Sequence, residues 1–413
     1  MSAVRVRLLP MAMVVALLVT SAVYLIYTWD RLVFSVLLVE IRHDLHLPLS
    51  SLGLLASIFT AGLAIMAIPA GLIAVRFGNK WTLALGALVF SACTLYTAFG
   101  RGFADILLVR VGSGIGEGLY NVAFFTFLGA LSVKMRGSLI GVGASLFGIG
   151  TFTGPLVTAY LLHATGGWRP PFIVLGLLGL IGVPAILVAL RGYGKTTVAA
   201  HKIERWSWQG LWADLLTRRV LAVALLMIVN GFGVYSYIAI FETYLRTQVH
   251  FGLAEASFIF GVFGIGNIVG GLPAGLAADV IGRRLTLVVA AAASGLLALG
   301  LYAFAASPTA AVVLAFLFGL TANSIYTNCY AFMQDQVRPD NMAIGTGVLA
   351  TIYYSVSGFA GFIIVVVAGA TGWTPAALWL YTIPYLVVAG LMWVLGSGRR
   401  TATPVAAPQG AAR

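Results

Sequence analysis

Four charged residues lie inside otherwise apolar stretches of this 413-residue chain: Asp30, Arg31, Arg110 and Glu117. A charge placed in the hydrocarbon of a membrane costs about 2.5–3.5 kcal/mol on insertion scales. The four charges sum to zero, so mutual pairing can offset part of this cost, but apolar residues would cost less. We therefore interpret these residues as functional groups. The structural alternative is a neutral quartet that only pins two helices together.

The spacing of these residues indicates where they point. At 100° per residue of an α-helix, Arg110, Glu117 and Asn121 fall within one narrow arc. Asp30 and Arg31 are adjacent and therefore point about 100° apart. One of them can thus pair with a charged residue of the span that carries Arg110 and Glu117, while the other faces a cavity.

The composition places these helices in a membrane. The chain is 61% hydrophobic and 9% charged, whereas soluble domains carry about 25% charged residues. A helix needs about 20 apolar residues to cross a bilayer, and we identify twelve candidate spans. They are residues 11–39, 50–75, 81–100, 104–133, 138–163, 170–190, 220–246, 254–278, 285–306, 309–333, 343–370 and 375–396. The sequence predicts an all-α membrane protein.

An internal repeat divides the chain into halves. Residues 69–80 (PAGLIAVRFGNK) return as residues 273–284 (PAGLAADVIGRR), and Gly-Trp-x-Pro recurs at 167–170 and 372–375. Duplication is a common ground plan of alternating-access transporters. We predict six-helix bundles at residues 1–190 and 220–400. A cytoplasmic linker with an interfacial helix would occupy 191–219, and a disordered tail 401–413.

The net charge of +12 reflects topology rather than nucleic-acid binding. Most of the 24 Lys and Arg lie on one set of alternating connections, whereas Arg42, Arg101, Arg169 and Arg246 lie on the other. By the positive-inside rule, both termini are cytoplasmic, and we expect an integral protein of a bacterial inner (plasma) membrane, acting as a monomer. No metal-ligand spacing or catalytic constellation occurs, so we expect no cofactor and no enzyme activity.

The repeated segment resembles the loop motif of the major facilitator superfamily, Gly-x-x-x-Asp-Arg-x-Gly-Arg-Arg/Lys. The second copy matches at Gly275, Asp279, Gly282, Arg283 and Arg284. The first copy matches at Gly71, Arg76, Gly78 and Lys80, but Val75 replaces the acid. The resemblance implies twelve transmembrane helices in two pseudo-symmetric six-helix bundles, the major facilitator fold. It also implies two gating loops at the basic connections, of which the first is weaker.

A glycine pattern in the fifth span resembles a motif often associated with antiporters. Gly148, Gly150, Gly154 and Pro155 match it, but its closing glycines are absent. We favour a kink with close helix packing at Gly154 and Pro155.

The first span carries a narrower resemblance. Tyr27-Thr28-Trp29-Asp30-Arg31 resembles the Tyr-x-x-Asp-Arg signature of the anion:cation symporters, and Arg110 with Glu117 resembles their helix 4 pattern. Residues 114–120 (GIGEGLY) also resemble spinster-type lysolipid transporters. The resemblance to the anion:cation symporters implies that Arg31 binds a substrate carboxylate, that Asp30 pairs with Arg110 and that Glu117 carries a proton.

Polar and aromatic residues of the predicted cavity helices complete the candidate site. In helices 1 and 4 they are Tyr27, Tyr120 and Asn121, and in the second half Asn230, Tyr235, Tyr237, Asn267, Asn323, Tyr326, Asn328, Tyr330, Tyr353 and Tyr354. They suit the uncharged, hydroxyl-bearing or aromatic part of a ligand.

The leading hypothesis is proton-coupled symport of a small organic anion, a carboxylate, by alternating access. The proton gradient drives it without a cofactor, and the partners are the anion, H+ and the lipid bilayer. The alternatives are proton antiport of drugs or lipophilic cations, lysolipid transport, and a transporter-like receptor.

Overall fold

The computed structural model describes residues 11–47, 49–132, 134–191, 208–338 and 341–395. Residues 192–207 of the predicted linker and the predicted tail 401–413 lie outside these ranges. Within the described residues the regular elements are helices, and no strand is present. The helices are α1 (Met11–Val36), α2 (Leu38–Asp44), α3 (Leu49–Phe77), α4 (Asn79–Thr97), α5 (Phe103–Leu131), α6 (Arg136–Thr165), α7 (Arg169–Ala189), α8 (Trp208–Leu215), α9 (Arg218–Ser236), α10 (Glu242–Thr247), α11 (Leu253–Ile281), α12 (Arg283–Ala303), α13 (Pro308–Gln336), α14 (Met342–Thr371), α15 (Trp373–Ala377) and α16 (Ile383–Leu395).

Every predicted span overlaps a helix of the structure. In the described part of the chain, ten helices are long and apolar enough to cross a membrane. The other two predicted spans are α4 and α5, and the charged and amide groups of α5 lower its hydropathy. Two predicted spans are interrupted by π-helical segments, Tyr237–Phe241 between α9 and α10 and Leu378–Thr382 between α15 and α16. Apolar periodicity gave no sign of these segments because a π-turn adds a single residue to an otherwise continuous helix.

Helix packing repeats between the halves. In the first half, α5 packs on α3 and α4, while α7 packs on α4 and both α6 and α7 pack on α1. In the second half, α13 packs on α11 and α12, while α16 packs on α12 and both α14 and α16 pack on α9. Each pair maps onto its counterpart by the repeat of the sequence. Duplication of the sequence is therefore matched by duplication of the packing.

The halves meet through α6 against α11 and α3 against α14. A Cβ atom on Gly141 would lie 2.6 Å from the carbonyl oxygen of Gly271, and one on Gly71 would lie 2.6 Å from that of Ala343. Only small residues allow helices to approach so closely. Glycines at these positions therefore let the two halves pack closely against each other.

The fifth-span glycine motif also serves close packing. A Cβ atom on Gly154 would lie 3.2 Å from Cδ1 of Leu32 and 3.3 Å from Cδ1 of Trp29, both on α1. The helix continues through positions 154 and 155, and the side chain of Pro155 lies outside the described part of the structure.

Contact between the halves is tight at one end of the bundle, which we call the basic end because it carries Arg76, Lys80, Arg136, Arg283 and Arg284. Further along α11 and α14, Cβ atoms built on Gly261 and Gly358 would meet nothing within 4 Å. These two glycines continue the helical stripes that make the close contacts. The halves are therefore closed together at the basic end and diverge toward the opposite end.

An ionic network closes the basic end. The Asp279 carboxylate of α11 accepts hydrogen bonds from the backbone nitrogen (3.0 Å) and hydroxyl (2.7 Å) of Ser138 in the first turn of α6. Arg283 binds Asp279 at 2.8 Å and also contacts Asp335, which pairs with Arg136 at 2.5 Å. An acid at a helix N-terminus satisfies free N–H groups and complements the helix dipole. This second loop motif thus binds the two halves to each other.

The first loop motif has no such network. Arg76 and Lys80 lie near the rings of Phe77 and Trp81, each 5.4 Å from the centroid. No described carboxylate lies within 4.0 Å of either cation. By the repeat, Val75, Asn79 and Gly129 stand where the second half has Asp279, Arg283 and Asp335. The sequence predicted that the first gating loop is the weaker one. In the structure the first half lacks counterparts of all three charged residues of the network.

A smaller polar contact lies at the opposite end. The Trp168 indole donates to Asp44 Oδ2 (3.0 Å), and Arg169 pairs with the same oxygen at 2.8 Å. These partners, the indole first, lower the pKa of the Asp44 carboxyl. They tie α2 to the start of α7.

Candidate functional site

A cavity that opens to solvent lies between the halves, bounded by α1, α6, α9, α11, α13 and α14. Among the described residues, Arg31 is the only charged residue that lines this cavity. The remainder of the lining is aromatic, amide-bearing or small and apolar. The lining consists of Tyr24, Arg31, Ala144, Phe147, Val234, Tyr235, Asn267, Ala322, Asn323, Tyr326, Tyr353 and Tyr354.

A buried ion pair joins α1 to α5 beside this cavity. Arg31 Nη2 and Nε donate to Glu117 Oε2 at 2.9 and 3.1 Å. Glu117 has no exposed surface, whereas Arg31 is 9% exposed. The second carboxylate oxygen, Oε1, has no hydrogen-bond partner among the described residues. Arg31 also donates to the hydroxyl of Tyr27. The carboxylate is therefore held by one guanidinium and keeps one oxygen free to take a proton.

Arg31 also contacts the second half. Its Nη1 donates to the Tyr235 hydroxyl at 3.3 Å, and its Cζ lies 5.4 Å from the ring centroid of Tyr354. Tyr235 follows Arg31 by 204 residues, the offset of the repeat, so the two occupy equivalent positions in α1 and α9. Equivalent residues of the two halves thus meet at the cavity, and a ligand bound to Arg31 would contact both halves.

Asp30 and Arg110, which the sequence predicted to pair, form no direct ion pair. Asp30 Oδ1 accepts a hydrogen bond from the Thr94 hydroxyl at 2.6 Å, and no described carboxylate lies within 4.0 Å of Arg110. The Arg110 guanidinium instead lies over the rings of Phe34 and Phe59, 4.3 and 4.1 Å from their centroids. The turn of about 100° between neighbouring residues directs Asp30 toward α4. Arg31 is left facing the acid of α5.

The other predicted site residues divide into two groups. Arg31, Tyr235, Asn323, Tyr326, Tyr353 and Tyr354 line the cavity, and Tyr27 touches Arg31. Three others belong to the core instead. Tyr120 donates to the Thr20 carbonyl at 2.7 Å, and Asn230 donates to the Ala322 carbonyl and accepts from Tyr385. Asn121 is buried between the cavity and the basic end.

Sequence reasoning missed part of the lining. Tyr24 lies seven residues before Arg31, so helical spacing alone places both on one stripe of α1. Asn267, which is among the predicted residues, lines the cavity beside Asn323, whose amide donates to the backbone carbonyls of Asn267 (2.7 Å) and Ala144 (3.1 Å). The small apolar residues of the lining have no sequence signal because they act only through their position.

Curated relatives align with much of the chain. The "Probable sulfoacetate transporter" of Cupriavidus necator is 28% identical over 286 residues, 64% of this chain and 65% of that protein. The "Probable L-galactonate transporter" of Escherichia coli is 25% identical over 284 residues, 63% of this chain and 62% of that protein. "Protein spinster" of Drosophila melanogaster is 27% identical over 191 residues, 45% of this chain and 31% of that protein. The chain thus spans less than two thirds of the length of these relatives.

The architecture also matches a solved structure. The major facilitator proton:xylose symporter bound to 6-bromo-6-deoxy-D-glucose superposes with a TM-score of 0.74. The match covers 92% of this chain and 95% of the symporter at 17% sequence identity, which shows the shared fold.

The sequence profile described as Major Facilitator Superfamily matches residues 20–361, and a second match covers residues 223–412. Together with the repeated packing of the two halves and the central cavity, this match shows that the chain belongs to the Major Facilitator Superfamily of membrane transporters.

Proposed function

We propose that this protein is a proton-coupled symporter of a small organic anion, a carboxylate, that works by alternating access. One observation carries the proposal: a guanidinium that lines the cavity is ion-paired with a carboxylate that has no exposed surface. In this arrangement Arg31 already has an anionic partner, and a substrate carboxylate can replace that partner only when Glu117 becomes neutral.

The electrostatics link the two events. An anion that bound Arg31 while Glu117 stayed ionised would leave two negative charges at one buried cation. Protonation of Glu117 without an anion would leave the guanidinium unpaired. Each uncompensated charge in the membrane interior is costly, so the lowest-energy route adds the proton and the anion together. A guanidinium suits this role because it binds carboxylates in a bidentate manner and stays charged.

The cavity also suggests the rest of the ligand. Five tyrosines and two asparagines surround Arg31, and they offer hydroxyl and amide groups beside flat apolar faces. Such a lining suits a small carboxylate with hydroxyl or aromatic groups. Two of the relatives are named for organic anions, sulfoacetate and L-galactonate, which supports this class of substrate.

For orientation we propose that the basic end faces the cytoplasm of a bacterial inner membrane, as the positive-inside rule predicts. The state described above, closed at the basic end, would then be the outward-facing one. Both chain ends would be cytoplasmic.

The test is uptake into proteoliposomes. Purified protein would be reconstituted and screened against carboxylates that include L-galactonate, sulfoacetate and aromatic acids, with an imposed inward proton gradient. We expect anion uptake with alkalinisation of the medium, and we expect Arg31→Ala to abolish anion binding. Binding that is unchanged in Arg31→Ala would contradict the proposed role.

Glu117→Gln separates coupling from binding. This substitution mimics the protonated acid, so it should preserve anion binding and anion exchange but remove accumulation driven by the proton gradient. It also serves as a background for Arg31→Ala, because the double variant leaves no unpaired buried acid. Proton-driven accumulation in Glu117→Gln would contradict this assignment.

The same assay distinguishes the alternatives. Drug antiport requires an acid that faces the cavity, and no described acid lines it; inhibition by lipophilic cations but not by anions would favour this function. The match to spinster favours lysolipid transport as a second candidate; flux of lysolipids, with no effect of small carboxylates, would support it.

A further inference from the structure

The two halves of the protein contribute differently to the charge of the cavity. Arg31 of the first half is the only charged residue among the described residues that line it. By the repeat, Tyr235 stands at the position of Arg31 and Asn323 stands at the position of Glu117. The second half thus has uncharged residues where the first half has an ion pair. A ligand that spans the cavity therefore meets a single cation among the described residues.

The amide groups of Asn323 and Asn267 are fixed in orientation by backbone carbonyls. Asn323 Nδ2 lies 3.1 Å from the oxygen of Ala144 and 2.7 Å from that of Asn267. Asn267 Nδ2 lies 3.1 Å from the carbonyl oxygen of Phe263. A flipped amide would set two acceptors against each other, so the nitrogen must be the atom at these carbonyls. Both side chains line the cavity, and their amide oxygens remain as the acceptors that a ligand can meet.

These acceptors favour an uncharged group at the end of the ligand that is remote from Arg31. An amide oxygen accepts a hydrogen bond from a hydroxyl or an N–H group, but an ionised carboxylate has no proton to donate to it. The hydroxyls of the cavity tyrosines can donate to an anion, but they bring no positive charge. A second carboxylate would therefore be both uncompensated and placed beside acceptors.

Charge balance in the membrane interior leads to the same conclusion. Asp30, Arg31, Arg110 and Glu117 sum to zero, and the proposed coupling adds one proton together with the ligand. A ligand with one negative charge keeps the sum at zero, whereas a ligand with two leaves one charge uncompensated. Such a charge is costly inside the hydrocarbon region of a membrane.

We propose that the cavity selects monoanions, with a single carboxylate bound at Arg31 and an uncharged hydrogen-bond donor, a hydroxyl or an amide, at the end that meets Asn323 and Asn267. The class of ligand rests on the proposed function, and the inference adds the number of charges and the chemistry of the second end. Among the compounds of the uptake screen it favours L-galactonate, which carries one charge, over sulfoacetate, which carries two.

The test compares ligands of equal size that differ in charge. Succinate is paired with its monoamide succinamate, and terephthalate with its monoamide 4-carbamoylbenzoate, because only the diacids carry a second charge at neutral pH. Binding to the purified full-length protein would be measured by thermal-shift titration at constant ionic strength. We expect each monoamide to bind at least about tenfold more tightly than its diacid. Equal binding, or tighter binding of a diacid, would overturn the proposal.

Asn267→Lys supplies the missing cation. The Asn267 side chain donates within its own helix, to Phe263, so its replacement leaves the contacts between the halves in place. In this variant the diacids should bind at least as tightly as the monoamides. Asn267→Leu is the matched control, because it removes the amide without adding a charge and should keep the preference for monoamides. Loss of the preference in both variants would show that charge does not decide it, and the wild-type comparison decides if Asn267→Lys does not fold.

The outcomes separate this inference from the proposed function. If a diacid is bound and accumulated with protons as well as its monoamide, the selectivity for monoanions fails and proton-coupled anion symport stands. If the monoamides bind preferentially but an imposed proton gradient drives no uptake, the proposed coupling fails and the selectivity stands. Absence of binding by every carboxylate would overturn both.

Discussion

Arg31 has an acidic partner in its own half and a hydroxyl partner in the other half. Glu117 neutralises it, and Tyr235 reaches it from the equivalent position of α9. A single side chain is therefore positioned to respond both to a proton on the acid and to the distance between the halves. Asp30, its neighbour in sequence, takes part in neither contact because it points toward α4.

The role of Tyr235 can be tested by removal of its hydroxyl. Tyr235→Phe should weaken binding of the transported anion about tenfold, since a hydrogen bond to a charged group contributes about 1.5–3 kcal/mol. Tyr353→Phe is the matched control, because Tyr353 also lines the cavity but makes no hydrogen bond to Arg31. Binding constants from thermal-shift titration would decide, and equal effects of the two substitutions would count against the assignment.

At the scale of helices, α5 and α13 face each other between the cavity and the basic end, where both carry buried polar groups. Phe125 and Tyr330 pack with their centroids 5.1 Å apart, and Gln334 donates to the Phe125 carbonyl at 3.2 Å. Several polar atoms around this contact have no hydrogen-bond partner among the described residues. They belong to Thr126, Thr327, Asn328 and Gln334, and the side chain of Asn121 lies beside that of Tyr330. A buried unsatisfied group costs about 1–3 kcal/mol, and this cost falls if water reaches the groups when the basic end opens.

This interpretation predicts state-dependent access to Asn121. A cysteine at position 121, in a background without Cys93 and Cys329, should be unreactive while the basic end is closed and should react with a thiol reagent once it opens. Asp279→Asn would provide the open state. A cysteine at Ala123, which is buried on another face of α5, is the control and should stay unreactive in both states. Equal reactivity of residue 121 in the two states would exclude a pathway here.

At the scale of the whole molecule, the two halves share a frame but not their chemistry. The buried ion pair and Arg110 lie in the first half, whereas the ionic latch uses Asp279, Arg283 and Asp335 of the second half. The interface of α6 with α11 is therefore polar at the basic end. The interface of α3 with α14 is made by Gly71 and Ala343 at the basic end, and further along it Thr351 donates to the Ala64 carbonyl.

Loss of the latch acid should open the basic end. Asp279→Asn removes the charge that caps α6 and pairs with Arg283, so the population open at the basic end should increase. Spin-label distances between positions 134 and 281 would measure it, with an expected new population at longer distance. Val75→Asp is the matched control. It adds an acid to the first loop, but Asn79 and Gly129 still stand where the second half has Arg283 and Asp335, so the network stays incomplete. It should leave the distances unchanged, and a shift as large as that of Asp279→Asn would contradict the assignment of the latch to the second half.

The sequence by itself determined the membrane character, the duplication, the positions of the long helices and the identity of the four buried charges. These follow from composition and from periodicity within single helices, which are local properties. Tertiary structure alone decided that Arg31 pairs with Glu117 of α5 whereas Asp30 binds Thr94 of α4, and which tyrosines reach the cavity. It also brought together the three latch residues, whose counterparts are all missing from the first half. Each of these depends on the rotation and separation of helices that are far apart in the chain, and helical spacing fixes the angle between residues on one helix but not the direction in which that helix faces its neighbours.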